Sequence, residues 1–486
     1  MLQSTKRKFS TTSYILAQIS KKNSIKPSKA IPEGMFSRKN VIVNLDLYRK
    51  SILSRELHNE TELISGLEDL EKIHSNVSKL SYEVKKLQQK RIALEKQVAS
   101  GVKTPELFQK LKDLKKQSVD ITEPLNGYEV SSWKICNSLP NTVDPTNPDK
   151  KPLIVEWINP KHDVKVSKGE KEHQGDIDYS SVYKPNKELD HLKILTENKL
   201  LLDFYAGSNV SGSNCYYLFD ELLELENALI AYALKFAKSK GFQLSSTPSF
   251  AKLPMIAACG YRPSQRDMDS QIYTLNGTDQ ALIATSEITL AGYEMSRTFL
   301  QSELPLKKCG LSRAFRKEAA AQGAGVRGLY RVHEFNKVEL FAWTLPEQSM
   351  QMLEDMKDLQ VEIIKSLGLT AQVLQMPNND LGAPAYKKYD IECWMPGRGT
   401  FGEVTSTSNC TDFQSRRLVT RYKKQGKSDD KGNQKSTSLE FVHTLNGTCM
   451  ALPRILLAIV ENNYDPKTNK IKVPDVLVPY MQIAEF

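Results

Sequence analysis

Residues 309–341 read CGLSRAFRKEAAAQGAGVRGLYRVHEFNKVELF, two halves of alternating apolar residues on either side of a loop with three glycines. The pattern predicts a pair of strands joined by a long loop. By the period of two, His333, Phe335, Lys337 and Glu339 share one face of the second strand, and Arg316 and Glu318 share one face of the first. Guanidinium, carboxylate and an aromatic ring presented together suit a bound nucleotide, with the guanidinium on phosphate and the ring against a base. A solvated charged face has the same pattern, and at this level both readings stand.

Upstream, apolar residues recur at Leu63, Leu67, Leu70, Ile73, Val77, Leu80, Val84, Leu87, Leu94 and Val98, the spacing of a heptad seam. Ser100-Gly101 ends this helix, and Thr104-Pro105-Glu106 opens another whose seam runs Leu107, Leu111, Leu114, Ser118, Ile121 and Leu125. Two seams and a tight turn predict an antiparallel helical hairpin, with Pro124 expected to stop or kink its second helix. Residues 72–116 hold twelve Lys or Arg against four acidic residues. A basic coiled-coil arm suits a phosphate backbone; a solvated dimerisation element is the alternative.

The chain has 486 residues and a net charge of +10, enough length for two or three domains. No apolar run approaches the roughly 20 residues that cross a bilayer, so membrane partners are not expected. Seven scattered cysteines without a CxxC argue against both a disulfide framework and a zinc site. Residues 1–32 carry seven Lys or Arg, no acidic residue and many Ser and Thr, the composition of a mitochondrial transit peptide. The expected organisation is a leader (1–32), a helical arm (42–140), a linker and domain entry (141–190) and an α+β domain (191–486), with residues 423–439 as a mobile hydrophilic surface loop.

Phe315-Arg316-Lys317-Glu318 and Arg331-Val332-His333-Glu334-Phe335-Asn336-Lys337-Val338-Glu339 together resemble motif 2 of the class II aminoacyl-tRNA synthetases in its seryl branch. The run HTLNGTCMALPRILLAIVEN, with Arg454, resembles motif 3. Residues 218–240 followed by Pro248 resemble motif 1 loosely. The tripeptide Thr285-Ser286-Glu287 and the run Glu403-Val404-Thr405-Ser406 also look seryl, and the resemblance spans residues 42–486.

It implies an N-terminal antiparallel helical hairpin followed by a catalytic domain built on an antiparallel β-sheet flanked by helices. It also implies a homodimer that activates L-serine with ATP and Mg²⁺ and charges tRNA(Ser), in the mitochondrial matrix if the leader is a transit peptide. By analogy, Thr285, Ser286, Glu287, Glu339 and Thr448 meet serine, and Arg316 holds the α-phosphate together with the serine carboxylate. Lys317, Glu318, Val332, His333, Glu334, Phe335, Glu403, Val404, Thr405, Ser406 and Arg454 meet ATP, with Glu403 and Ser406 on the metal. On the arm, Lys79, Lys85, Lys86, Lys90, Arg91 and Lys96 meet tRNA. Thr448-Cys449 stands where the family usually has Ser-Gly, and Glu334 where it usually has Gln. The rival readings are a class II enzyme for another small amino acid and a catalytically silent relative that binds RNA or acts as a scaffold.

Overall fold

A computed structural model describes residues 38–101, 104–163, 172–173, 179–261, 272–318, 327–425 and 437–486. The expected leader, residues 319–326 of the strand-joining loop and residues 426–436 lie outside these.

Short helices α1 (Arg38–Val43) and α2 (Leu45–Ser54) lead into the long pair α3 (Glu60–Ala99) and α4 (Pro105–Ser138). The 40 residues of α3 reach roughly 60 Å at about 1.5 Å per residue. At the turn, Gly101 takes φ +100°, a left-handed geometry that a side chain would strain. The Thr104 hydroxyl then accepts the Leu107 N–H at 3.3 Å, capping α4 as its sequence predicts. Leu63, Leu67, Leu70 and Val77 are buried near the base of the arm, whereas Leu80, Val84, Leu87 and Leu94 are half-covered toward its tip. Burial of each leucine contributes about 1.5–3 kcal/mol, so the hairpin is held most firmly where it joins the body.

Helix α4 runs through Pro124 rather than ending there; the proline is on the exposed side of the helix, where water can satisfy the carbonyl that loses its donor. Residues 423–439 are not wholly loop, because Arg421–Lys424 and Ser438–Phe441 pair as antiparallel strands, with Lys424 Nζ 2.9 Å from a Glu440 oxygen.

The arm is clamped to the body by arginines. Arg55, just past α2, is 2% exposed and donates to the carbonyls of Leu381, Gly382, Asn141 and Ala385 at 2.7–3.1 Å. Desolvation lowers its pKa to about 10, so it stays charged at neutral pH. Arg417 likewise donates to the carbonyls of Asn137 and Leu139.

The body is built on a nine-stranded sheet: β1 (Leu153–Ile158), β2 (Glu172–His173), β3 (Gln243–Ser246), β4 (Leu306–Phe315), β5 (Glu334–Thr344), β6 (Ala371–Gln375), β7 (Lys387–Met395), β8 (Thr400–Asn409) and β9 (His443–Ala451). Its order is β2-β1-β6-β7-β8-β9-β5-β4-β3, antiparallel except for the β3–β4 pair. The stretch expected as linker, 141–190, therefore supplies two strands, and the sheet begins well before residue 191. Helices α5 (Asp220–Ser239), α6 (Ser349–Ser366) and α7 (Leu452–Asn463) pack on the sheet. Val338, Leu340 and Ala342 of β5 join Leu229, Met356, Leu456 and Ile459 in the core between sheet and helices. The alternate residues Phe335, Lys337 and Glu339 consequently face the other side.

Candidate functional site

Strand β4 ends at Phe315, and Arg316 and Glu318 follow it. Glu318 sits at φ 51°, outside strand geometry, so the expected shared strand face does not form. Both side chains nevertheless line one pocket with Val332, Phe335, Lys337, Glu403, Val404, Thr405, Ser406, Thr448 and Arg454. The strand pairing brings them together: Phe335 lies opposite Ala314, and Glu339 opposite Gly310 on one side and Thr448 on the other.

One end of the pocket is rich in cations. The Arg316 guanidinium lies 5.4 Å from the centre of the Phe335 ring. Arg454 donates to the Glu403 carbonyl at 2.9 Å and to its carboxylate at 3.1 Å. Burial alone would raise the Glu403 carboxyl, but Arg454, Lys388 and Arg316 outweigh it and hold the group well below the usual carboxylate range. Arg331 pairs with the Glu318 carboxylate. The β7–β8 register passes from Ile391↔Thr405 to Glu392↔Glu403, skipping Val404. This bulge turns Glu403 and Ser406, three apart in sequence, to the same side.

Lys337 and Thr448 line the other side of the pocket, whereas Thr285, Glu287 and Glu339 do not line it and are grouped, buried, around Lys337. Lys337, 6% exposed, reaches Glu339 at 2.7 Å and the Thr285 hydroxyl at 3.1 Å. Glu287, at the start of the short helix Glu287–Tyr293, accepts from Gln414 at 2.6 Å and from the Tyr261 hydroxyl at 3.2 Å. Burial, then the charge of Glu339, push its carboxyl up to about 7 against the opposing pull of Lys337, Asn446 and Gln414. Two carboxylates thus share one ammonium, and a further cation would be welcome there.

The remaining expected residues are elsewhere. Ser286 is fully buried with its hydroxyl beside Gly310. Lys317 and His333 do not line the pocket; the His333 ring bonds to Tyr273 and to the Arg316 carbonyl, both at 2.9 Å. Glu334 projects from the other face of β5 and lies 3.4 Å from Arg313. Lys79, Lys85, Lys86, Lys90, Arg91 and Lys96 are all exposed along α3. Sequence reasoning did not select Lys337, Tyr261, Gln414, Tyr330 or Arg398 as site residues. Only Lys337 carried a signal, its place on the Phe335–Glu339 face.

Residues 272–463 match the family described as the tRNA synthetase class II core domain (G, H, P, S and T). Over 454 residues the chain is 43% identical to the mitochondrial serine–tRNA ligase of Saccharomyces cerevisiae, covering 93% of this chain and 95% of that one. It is 37% identical to the serine–tRNA ligase of Dictyoglomus thermophilum, over 91% and 97% of the two chains. Among solved structures it is similar to the seryl-tRNA synthetase of Pyrococcus horikoshii complexed with ATP, at TM-score 0.79 and 28% identity over 93% of this chain and 99% of that one. It is also similar to the cytoplasmic serine–tRNA ligase of Naegleria fowleri in complex with AMP, at TM-score 0.75 and 26% identity over the same shares.

Proposed function

The chain belongs to the serine–tRNA ligase family of class II synthetases, and from that membership we propose how its own residues carry out the reaction. It is an ATP-dependent aminoacyl-tRNA ligase whose substrates are serine, ATP and tRNA(Ser). What supports the residue assignment is a pocket whose cationic end holds Arg316 and Arg454 and whose other side, at Lys337, borders the buried carboxylates Glu287 and Glu339.

The serine ammonium enters at that other side, the serine end, where Glu287 and Glu339 outnumber Lys337. Thr285 and Thr448 offer oxygens near the substrate hydroxyl. Alanine would leave such buried partners unsatisfied, and threonine would need extra room. Adenine lies against Phe335, with Glu318 receiving its amino group; Arg316 holds the serine carboxylate against the α-phosphate, and Arg454 holds the outer phosphates. The carboxylate attacks the α-phosphorus, pyrophosphate leaves, and a 3′-terminal hydroxyl of tRNA then attacks the seryl adenylate. No side-chain nucleophile is needed, because catalysis is alignment and charge stabilisation.

Glu403 and Ser406 fit Mg²⁺: one is a carboxylate kept ionised by its cationic neighbours, the other a hydroxyl turned to the same side by the Val404 bulge, and hard oxygens suit that ion. When bound, it would supply positive charge that offsets the phosphates.

The exposed basic row on α3 takes the tRNA backbone. Leu200, Tyr205, Val210 and Phe219 are large, exposed and clustered in sequence, which supports burial in a homodimer. The location is mitochondrial, by likeness to the yeast relative and by the leader composition, with residues 1–32 removed on entry to the matrix. ATP–pyrophosphate exchange tests the core reading: serine is expected to support it, and alanine, glycine and threonine are not. Exchange with another amino acid alone would refute it.

A further inference from the structure

Behind the cationic end lies a buried pair that the reaction scheme does not use. Glu461 is fully buried and His191 is 3% exposed. Glu461 is on α7, seven residues beyond Arg454, which puts both on one side of the helix two turns apart. One Glu461 oxygen accepts from His191 Nδ1 at 2.9 Å and from the His191 backbone N–H at 3.3 Å. The other accepts from the backbone N–H groups of Gly397 at 2.8 Å and Arg398 at 3.2 Å. On the far side of the ring, His191 Nε2 accepts the Leu329 N–H at 3.2 Å. A backbone N–H can only donate, so Nε2 carries the lone pair and Nδ1 the proton. This close approach depends on Gly328, at φ +67°, where a Cβ would stand 2.2 Å from Nε2.

Both branches from Glu461 end at Tyr330. Through His191 it fixes Leu329, the residue before Tyr330. By accepting the Arg398 backbone N–H its carboxylate fixes Arg398, whose guanidinium lies 3.4 Å from the centre of the Tyr330 ring. Arg454 lies 4.6 Å from the same centre and donates from Nε to the Tyr330 carbonyl at 3.2 Å. One buried carboxylate therefore governs the placement of a ring, two arginines and the return of the loop that joins β4 to β5.

We propose that His191 and Glu461 are a positioning pair for the ATP half of the site, fixing Tyr330 as the platform on which Arg454 stands ready for phosphate. This rests on the ATP placement proposed above. Tyr330, Arg398 and Arg454 all lie outside strand β5, which carries Lys337 and Glu339 of the serine end, so the pair acts on ATP and leaves serine binding untouched.

Steady-state ATP–pyrophosphate exchange with the full chain tests it. His191→Asn keeps a donor near the Nδ1 position but gives up the contact with Leu329, whereas His191→Gln can reach Leu329 with an acceptor. The Asn variant is expected to raise the KM for ATP about tenfold with the KM for serine within about twofold, and the Gln variant to stay within about threefold of the parent. Tyr330→Leu, at a half-exposed ring, should raise the KM for ATP by a similar factor and carries the test if the histidine variants do not fold. The double variant should be no worse than the poorer single one. Equal KM values for Asn and Gln, a parallel rise in the KM for serine, or multiplying effects in the double variant would overturn the proposal. Arg454→Ala is the control: if it leaves the KM for ATP unchanged, the ATP placement fails and the pair with it; if it raises the KM and His191→Asn does not, the pair alone fails.

Discussion

The arm and the sheet solve opposite problems with the same chain. In α3 the buried residues Leu63, Leu67, Leu70 and Val77 follow a heptad spacing, and what the arm presents outward is charge on exposed lysines. On and around the sheet, Arg316, Lys337, Glu403 and Arg454 come from segments far apart in sequence, and what they present is a fixed geometry in a partly closed pocket, with Glu287 buried beside it. An arm of this kind should tolerate the loss of any one charge and fail gradually. A site of the second kind should fail at once when one group is lost.

The sharpest break of that contrast is Arg316→Ala. It should lower kcat/KM in serine-dependent exchange by roughly 10³-fold, the scale of a lost charge-stabilising group, while the dissociation constant for tRNA stays as it was. A comparable weakening of tRNA binding would erase the distinction between the regions. Replacing Lys79, Lys85, Lys86, Lys90, Arg91 and Lys96 together with alanine is the mirror experiment. It should raise the KM for tRNA about 10²-fold and leave exchange alone, with the log–log salt slope falling by about 0.7–0.9 for each phosphate contact removed.

Glu287 sharpens the picture of the serine end. Its carboxyl is raised to about 7, so below that pH the group is protonated, and the serine ammonium proposed to bind there would have to displace a proton. The KM for serine should rise about tenfold between pH 8 and pH 6, with the KM for ATP flat. Glu287→Gln should give a uniformly high and pH-independent KM for serine. In the ligand-free fold the sign is the opposite. A raised carboxyl contributes stability that is full below its ordinary value near 4.5 and is lost as pH rises through about 7, so the protection of the melting temperature by serine should grow with pH. Lys85→Ala alone is expected to have the smallest effect, about twofold in the KM for tRNA; a tenfold effect would make the arm a specific contact rather than a field.

The arm was legible in sequence because its contacts are local: heptad spacing, the Thr104 cap and Gly101 each say in place what they do. Pro124 does not stop the helix, because a proline on an exposed helix face can be accommodated by water. The identities of Arg316, Glu318, Phe335, Glu403 and Arg454 were legible through their motif, whereas their relations were not. The register step at Val404 that aligns Glu403 with Ser406 exists only between β7 and β8, and nothing in GEVTS announces it. Strand β1 was hidden in a segment that looks like linker, since its partner β6 lies more than two hundred residues away. Glu461 stood in plain view within motif 3, but its partners, at 191 and 397–398, are brought to it by the fold alone.

Arg55 gives the arm a mechanical character. Its guanidinium grips four backbone carbonyls of residues 141 and 381–385, so the base is a socket rather than a hinge. At a length of about 60 Å, one degree of play at the socket would sweep the tip through about 1 Å. A gripped base would make the arm a gauge for the tRNA proposed to lie on it, setting how far from the adenylate that nucleic acid is held, and Arg55, 46 residues before Gly101 of the hairpin turn, is with Arg417 one of the buried side chains behind its accuracy.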